Sequence, residues 1–424
     1  MSMETPALLR SLRYRNYRLF FTGQLISLIG TWMDTVAEAW LVYRLSHSPL
    51  LLGVAAFASQ IPVFLLAPIG GLIADRYDRR KILIWTQALS MVQAMILAIL
   101  TLTHVVTIWH VIVLAAGLGI VNAIDMPTRQ AFVVDLVSRD DLMNAIALNS
   151  SMFNGARVIG PAVAGIIVAA IGEGWCFFAN SVSYIAVIAG LWMMTNGPSA
   201  YPRAAHEGAL LQIKEGFRFV MGEKPVRALL SLLAVVSLFG MSYSVLMPVF
   251  ADQVLHAGPR GLGLLMGCAG IGALGGAISL ALKKEVKGLG RWIVLGACGF
   301  GVALIIFGQS RMTWLSCAVL LGAGYAMMVQ MSSSNTLIQS MVPNHLRGRV
   351  MALYTATFMG MAPVGALLSG TLAQHIGASY TVAFGGVACI VAGGLFGVVL
   401  PSLRPLARRL IVAQQAEAAA PTQP

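Results

Sequence analysis

Long apolar runs alternate with short polar breaks along this chain, and the runs are too long and too continuous for a water-soluble fold. Reading them with the glycines, prolines and charges that punctuate them predicts twelve helices, at 19–43, 49–74, 82–103, 107–127, 143–170, 175–195, 227–250, 260–282, 292–308, 313–338, 350–374 and 379–400. A hydrocarbon core about 30 Å thick needs roughly 20 apolar residues per crossing, and only helices or closed barrels satisfy their backbone groups there. Continuous rather than alternating hydrophobicity selects helices over barrel strands. Between the sixth and seventh lies the longest hydrophilic stretch, 196–226, in which Leu210, Ile213, Phe217 and Val220 recur at spacings of three and four. That period suits an amphipathic helix on a membrane surface. The predicted organisation is an all-α membrane protein: a six-helix bundle over 1–195, a linker over 196–226, a second six-helix bundle over 227–400 and a tail over 401–424.

Self-similarity supports two halves. A shift of 205 residues superposes Gly70 and Gly71 on Gly275 and Gly276, Gly119 on Gly324, and Phe153 on Phe358. The same ungapped shift pairs Gly155, Gly160, Gly165 and Gly172 with Gly360, Gly365, Gly370 and Gly377. Parallel repeats of this kind are a plan by which transporters rock around a central site.

Composition agrees with the pattern. Hydrophobic residues make up 58% and charged residues only 10%, with a mean hydropathy of +0.80, where about a quarter of a soluble chain is charged. Placing the N-terminus in the cytoplasm puts all but four of the 28 Lys and Arg in cytoplasmic segments. The exceptions are Arg44, Arg260 and Arg311 on the other side and Arg157 within a span. The positive-inside rule therefore predicts that both termini are cytoplasmic. A cytoplasmic face beside lipid explains the net charge of +12 without nucleic acid. The five cysteines have no paired or metal-like spacing, and the seven histidines fall near span ends or in loops, so neither a metal site nor another cofactor is predicted. No cleavable signal is predicted, because the first apolar stretch is too long and lacks an A-x-A-like site.

Between the second and third helices stands "GGLIADRYDRRK", residues 70–81. It resembles the loop signature of the major facilitator superfamily, G-x-L-a-D-R-x-G-R-[RK], at Gly71, Asp75, Arg76, Arg79 and Arg80, with Lys81 extending the basic run. Asp78 stands where that family usually has Gly. Gly71 is expected to allow close helix contact, Asp75 to sit at the positive end of a neighbouring helix, and the arginines to pair with acids. "RNYRLFFTGQLISLIGTWM" (15–33), "DMPTRQAF" (125–132) and "LNSSMFNGARVIGPAVAG" (148–165) are similar to one branch, the transmembrane secretion effectors, which include enterobactin-exporter-like and macrolide-efflux-like proteins. The resemblance implies twelve helices in two pseudo-symmetric bundles, a monomer, and export of small molecules. Ala156, Gly160, Pro161, Ala164 and Gly165 partly match the antiporter signature G-x-x-x-G-P-x-x-G-G, a small-residue surface expected to seal one end of a pathway. The mid-helix-4 arginine common to many family antiporters has no match in "VIVLAAGLGIVNAID".

Two acids interrupt the first apolar run. Gln24, Ser27, Thr31, Asp34 and Glu38 follow helical spacings and form one polar seam, expected to face a wet cavity. An ionised group near the bilayer centre costs about 2.5–3.5 kcal/mol on insertion scales. Arg157 lies at a similar depth in the fifth helix. It is expected to pair with one carboxylate while the other exchanges a proton, with Asp34 the first choice for coupling and Glu38 a gate or part of a cation site. Pairing that merely fixes the two helices together is the alternative. Asp125, Arg129 and Asp135 are expected to gate the cytoplasmic end with the 75–81 loop. Ser237, Tyr243, Tyr325, Gln330, Ser333 and Asn335 join Gln24 and Thr31 as candidate cavity residues, because helices 1, 4, 7 and 10 line the cavity in the resembling family.

No constellation suited to enzymatic chemistry stands out. "GIGALG" (270–275) matches G-x-G-x-x-G but sits inside a span with no preceding strand, and no G-x-x-x-x-G-K-[ST] loop occurs. The reading is a secondary transporter, a proton-coupled exporter of small lipophilic molecules such as drugs or siderophores, with protons, substrate and lipid as its partners. An importer or facilitator, and a nontransporting scaffold or receptor, are the alternatives.

Overall fold

The computed structural model of the chain describes residues 7–195, 209–282 and 288–419, without the side chains of 7, 8, 209–213 and 415–419. Its elements are a short 3-10 helix (Ala7–Arg13), α1 (Arg15–Ser46), α2 (Pro49–Arg76), α3 (Arg79–Leu102), α4 (Ile108–Asp135), α5 (Leu142–Ile171) and α6 (Glu173–Trp192). They continue with α7 (Ala209–Gly222), α8 (Lys224–Val254), α9 (Gly258–Ala281), α10 (Leu289–Gln309), α11 (Thr313–Met341), α12 (Asn344–Ile376) and α13 (Ala378–Ala419). All but α7 and the first turn are long and apolar enough to cross a membrane, which makes twelve spans in a multi-pass membrane protein. Trp85, Val113, Trp192 and Val398 stand out from these helices, the inverse of a soluble surface and a suitable one for lipid.

Local chemistry sets the helix starts. Ser48 accepts a hydrogen bond from the Leu51 amide ahead of Pro49, and Thr107 and His110 form a capping box at α4. Asp78, the departure from the loop signature, caps α3 by accepting from the Lys81 amide at 3.2 Å. α8 is the irregular span: π turns at Val236–Gly240 and Phe250–Val254 flank a 3-10 turn at Met241–Ser244. α13 runs well past the predicted end at 400, through Pro401 and Pro405, so the expected tail begins as helix. α7 is a helix, as expected, with Val220 buried and Phe217 exposed; the side chains of Leu210 and Ile213 and the start of the linker lie outside the described residues.

Contacts divide the chain into two compact units. One holds α1 to α6 with residues 247–267; the other holds α7, residues 224–246 and the described chain from 268 onward. Each repeats one packing scheme. In the first, α1 packs on α5 and α6, and α3 on α4 and α6; in the second, α8 packs on α12 and α13, and α10 on α11 and α13. Gly160 lets α5 lie against the backbone of α1 at Ile29–Met33, and its repeat mate Gly365 lets α12 lie against Leu238–Ser242 of α8.

The first unit is closed at its amino terminus by a polar clasp. Arg10 and Arg13 pair with the buried Asp141 at 2.9 and 2.6 Å, the Tyr14 hydroxyl donates to it at 2.9 Å, and the Ser11 amide donates to Asn144 at 2.9 Å. In the second unit Arg349 of α12 pairs with Glu215 of α7.

Gly172 and Gly377 are also repeat mates. Each is the single residue joining two spans, at φ 92°, ψ 170° and φ 85°, ψ 156°. Only glycine adopts this region without strain of about 1–3 kcal/mol. Gly172→Ala and Gly377→Ala should each lower the apparent melting temperature of the detergent-purified protein. Gly117→Ala, where an added Cβ meets nothing within 4 Å, should leave it unchanged or slightly raised.

Candidate functional site

The two acids of α1 sit where little offsets their charge. Asp34 is 4% exposed, and its Oδ1 has no hydrogen-bond partner. Asn180 of α6 lies beside the carboxyl, and Tyr184 lies beside Thr31 and Asn180. This approach depends on Gly30: a Cβ there would lie 2.7 Å from both Asn180 Oδ1 and Ser183 Oγ. Glu38, one turn further on, is half-buried and has no ion-pair partner among the described residues.

The expected ion pair with Arg157 does not form. The Arg157 guanidinium lies instead 5.8 Å from the ring centroid of Trp32, and no acid pairs with it among the described residues. The reason is angular. Positions 32 and 34 of a helix lie about 200° apart around its axis, so Trp32 faces α5 while Asp34 faces α6. Stacking on an indole returns about 0.5–2 kcal/mol, less than the about 2.5–3.5 kcal/mol cost of an arginine at mid-span.

The polar seam does not face one wet surface in this conformation. Gln24, Ser27 and Asp34 are buried against neighbouring helices. Gln24 Oε1 accepts from Arg129 Nη1 of α4 at 3.2 Å, and Arg129 pairs with Asp125 at 3.0 Å. Asp125 Oδ1 also accepts from Thr86 Oγ1 at 2.7 Å and from Gln87 Nε2 at 2.9 Å. Asp125 is thus fully engaged inside the first unit by α3 and α4. Of the three expected gate residues only Asp135 meets the loop motif, pairing with Arg79 at 2.8 Å. Asp125 and Arg129 belong to a separate buried network, whose members Thr86 and Gln87 sequence reasoning missed. Their signal was a polar stripe, Thr86, Gln87, Ser90 and Gln93, recurring on an apolar helix.

Within the loop, Arg79 organises the contacts. Besides Asp135 it reaches Asp75 at 3.4 Å and the Ala74 and Ala131 carbonyls at 3.1 and 3.3 Å. Arg80 donates to the Trp192 carbonyl at the end of α6, at 3.0 Å, while Arg76 and Lys81 are exposed. The close helix contact expected of Gly71 belongs to Gly70, whose α-carbon faces the α4 backbone at Ala123–Ile124; a Cβ on Gly71 meets nothing within 4 Å.

On α5, Ala156, Gly160, Pro161, Ala164 and Gly165 are all buried. Gly160 packs on α1. Gly165 meets the first turns of α9, where an added Cβ would lie 3.0 Å from Gly263 Cα and from the Pro259 carbonyl. Close by in the same unit, the Tyr43 hydroxyl donates to Asp252 at 3.1 Å, and Arg44 pairs with the buried Glu173 at 2.7 Å.

In the second unit several candidate cavity residues are sealed. Ser237, Gln330 and Ser333 are at most 1% exposed, and Ser237 Oγ, Gln330 Oε1 and Ser333 Oγ have no partner. Gln330 packs against Gly296 of α10, and the Tyr243 ring stacks edge-on against Phe300. Tyr325 and Asn335 are half-buried, and Asn335 hydrogen-bonds Gln339 at 2.6 Å.

Twelve spans in a repeated packing scheme, a basic loop locked by Arg79 and a small-residue face on α5 define a transporter of the major facilitator superfamily. Within it the chain belongs to the transmembrane secretion effector family, whose model matches residues 7–414. It is similar to the staphyloferrin A transporter of Staphylococcus aureus (strain NCTC 8325 / PS 47), 28% identical over 88% of this chain and 93% of that protein. Likewise, it is 24% identical to the enterobactin exporter EntS of Shigella boydii serotype 4 (strain Sb227), over 92% of each. Among solved structures, a bacterial homolog of the human lysosomal transporter Spinster, inward-facing and unoccupied, superposes with a TM-score of 0.68 at 16% identity, over 95% of this chain and 98% of that one. The nucleoside transporter NupG does so with a TM-score of 0.73 at 10% identity, over 93% and 99%. These two share the fold.

The neighbouring glycines of the loop motif give a direct test of the geometry. Gly70→Leu should part α2 from α4 and lower the melting temperature by several degrees, since overpacking costs about 1–3 kcal/mol. Gly71→Leu should leave it within about a degree. Equal effects in a thermal-shift measurement would contradict the assignment.

Proposed function

We propose that the chain is a proton-coupled exporter of small lipophilic molecules, siderophores first among them, working by alternating access. The observation that carries this is the pair of α1 carboxyls at membrane depth with no cation to balance them among the described residues. An ionised carboxylate buried without a counter-charge is costly, and binding a proton removes that cost. Asp34, buried and with one oxygen unpartnered, is the coupling site; Glu38, half-exposed one turn on, passes the proton to or from water.

Siderophores come first because the similar proteins are a staphyloferrin A transporter and an enterobactin exporter. The distribution of basic residues supports cytoplasmic termini in a bacterial inner membrane. The small-residue contacts of α5 with α1 and α9 seal the end of the pathway away from the termini, and the Arg79 cluster latches the other end. The transporter works as a monomer.

Reconstitution in sealed vesicles tests the reading, with staphyloferrin A and enterobactin as first substrates and a trapped pH dye as readout. The wild-type protein should show substrate-dependent proton movement. Asp34→Asn should reduce it at least about tenfold, while Glu38→Gln slows it less. Normal proton-driven flux by both variants, or flux indifferent to the pH gradient, rules out coupling through these acids.

A further inference from the structure

Arg157 is the charged group at mid-span that the coupling scheme leaves unused. It lies at the centre of α5, half-exposed, with its guanidinium over the Trp32 ring at 5.8 Å. Trp32 in turn meets Phe153 edge-on, with centroids 5.7 Å apart and planes at 70°, and Phe153 is 46% exposed. Gly160 fixes this cluster by seating α5 against the α1 backbone around Trp32.

No acid of the first unit's spans pairs with Arg157 among the described residues: Glu38 makes no ion pair there, and the others are engaged elsewhere. Asp125 is held by Arg129, Asp135 by Arg79, Glu173 by Arg44 and Asp252 by Tyr43, while Asp34 faces α6 on the far side of α1. Asn154, one turn before Arg157, donates from its side-chain amide to the Ser150 carbonyl of its own helix, and its Oδ1 accepts no hydrogen bond from Arg157 among the described residues. The guanidinium donors therefore have no protein acceptor among the described residues. A planar cation with free donors over an indole, which a second aromatic ring meets edge-on, matches a flat ligand that carries an anionic oxygen group: the fork binds the oxygens and the rings take the flat face.

We infer that Arg157, Trp32 and Phe153 form an anion-recognising part of the substrate site, selective for planar aromatic ligands bearing a carboxylate or similar acidic oxygens. The inference rests on the reading that the chain moves a small molecule, and not on proton coupling. Attraction at Arg157 also separates two tasks on α1: one face holds the acids that exchange protons, and the other presents the ring that helps hold an anion. Cationic ligands are disfavoured there by like charge.

Equilibrium binding to the purified full-length protein, without any gradient, tests this with three probes of one size class: salicylate, its uncharged amide and benzylamine. The wild-type protein should prefer salicylate to salicylamide by about tenfold or more and bind benzylamine weakest. Arg157→Gln should reduce the salicylate-to-amide ratio to within about twofold of one, and Arg157→Lys should retain part of it, because lysine keeps the charge but not the flat fork. Trp32→Leu should weaken salicylate and salicylamide alike, and Arg404→Gln, on the exposed continuation of α13, should change nothing. A ratio near one in the wild-type protein, or no salicylate binding at about 10 mM, overturns the assignment even if Arg157→Gln fails to fold. An unchanged ratio in folded Arg157→Gln overturns it as well. Loss of proton-driven flux with the ratio intact removes the coupling scheme and leaves this site standing.

Discussion

Hydrocarbon does not tolerate an isolated charge, and this constraint governs where each ionisable residue of the first unit can point. Two arrangements meet it. Asp125 is neutralised inside the protein, with Arg129, Thr86 and Gln87 occupying both carboxylate oxygens. Arg79 is moved to the end of its span and saturated by two acids and two carbonyls. Asp34 and Arg157 follow neither course: each lies at membrane depth without an opposite charge, one against an amide and the other over an indole. A structure optimised only for stability would bring those two together, and removing one partner of a buried pair typically costs about 3–5 kcal/mol. Kept apart, both remain without an opposite charge among the described residues.

The same constraint explains why backbone contact matters so much. Apolar side chains gain nothing from one another in lipid that they do not gain from the lipid itself, so helices associate through close packing. The contacts at Gly70, Gly160, Gly165 and Gly365 supply it, bringing α2 to α4, α5 to α1 and α9, and α12 to α8.

The number and order of the spans were legible in the sequence because twenty-residue apolar runs have few other uses, and the repeat was legible because both halves need glycine at places such as 172 and 377. Facing was not. Depth along a helix can be counted from its ends, which is what put Asp34 and Arg157 together in the sequence reading, but their directions depend on which neighbour each helix turns toward. Two residues along α1 separate the face that meets Arg157 from the face that carries the acid. The adjacent Gly70 and Gly71 posed the same problem, since a motif aligned by spacing does not say which of two neighbours touches α4. Thr86 and Gln87 escaped notice because uncharged polar residues in a span are cheap enough to be common. The cavity residues chosen on α8 and α11 were placed by family expectation, and burial of Ser237, Gln330 and Ser333 depends on packing that no local pattern announces.

The clasp at the amino terminus has a bearing on how the molecule is made. Arg13 and its acceptor Asp141 are 128 residues apart in the chain. During synthesis the leading segment emerges first, yet its ionic anchor does not exist until four spans have followed it out of the ribosome. Until then the earliest helices must hold their place in the bilayer by their own contacts, chiefly α2 on α4. The clasp can close only once Asp141 has been made, and it then fastens residues 10–14 to the entrance of the fifth span.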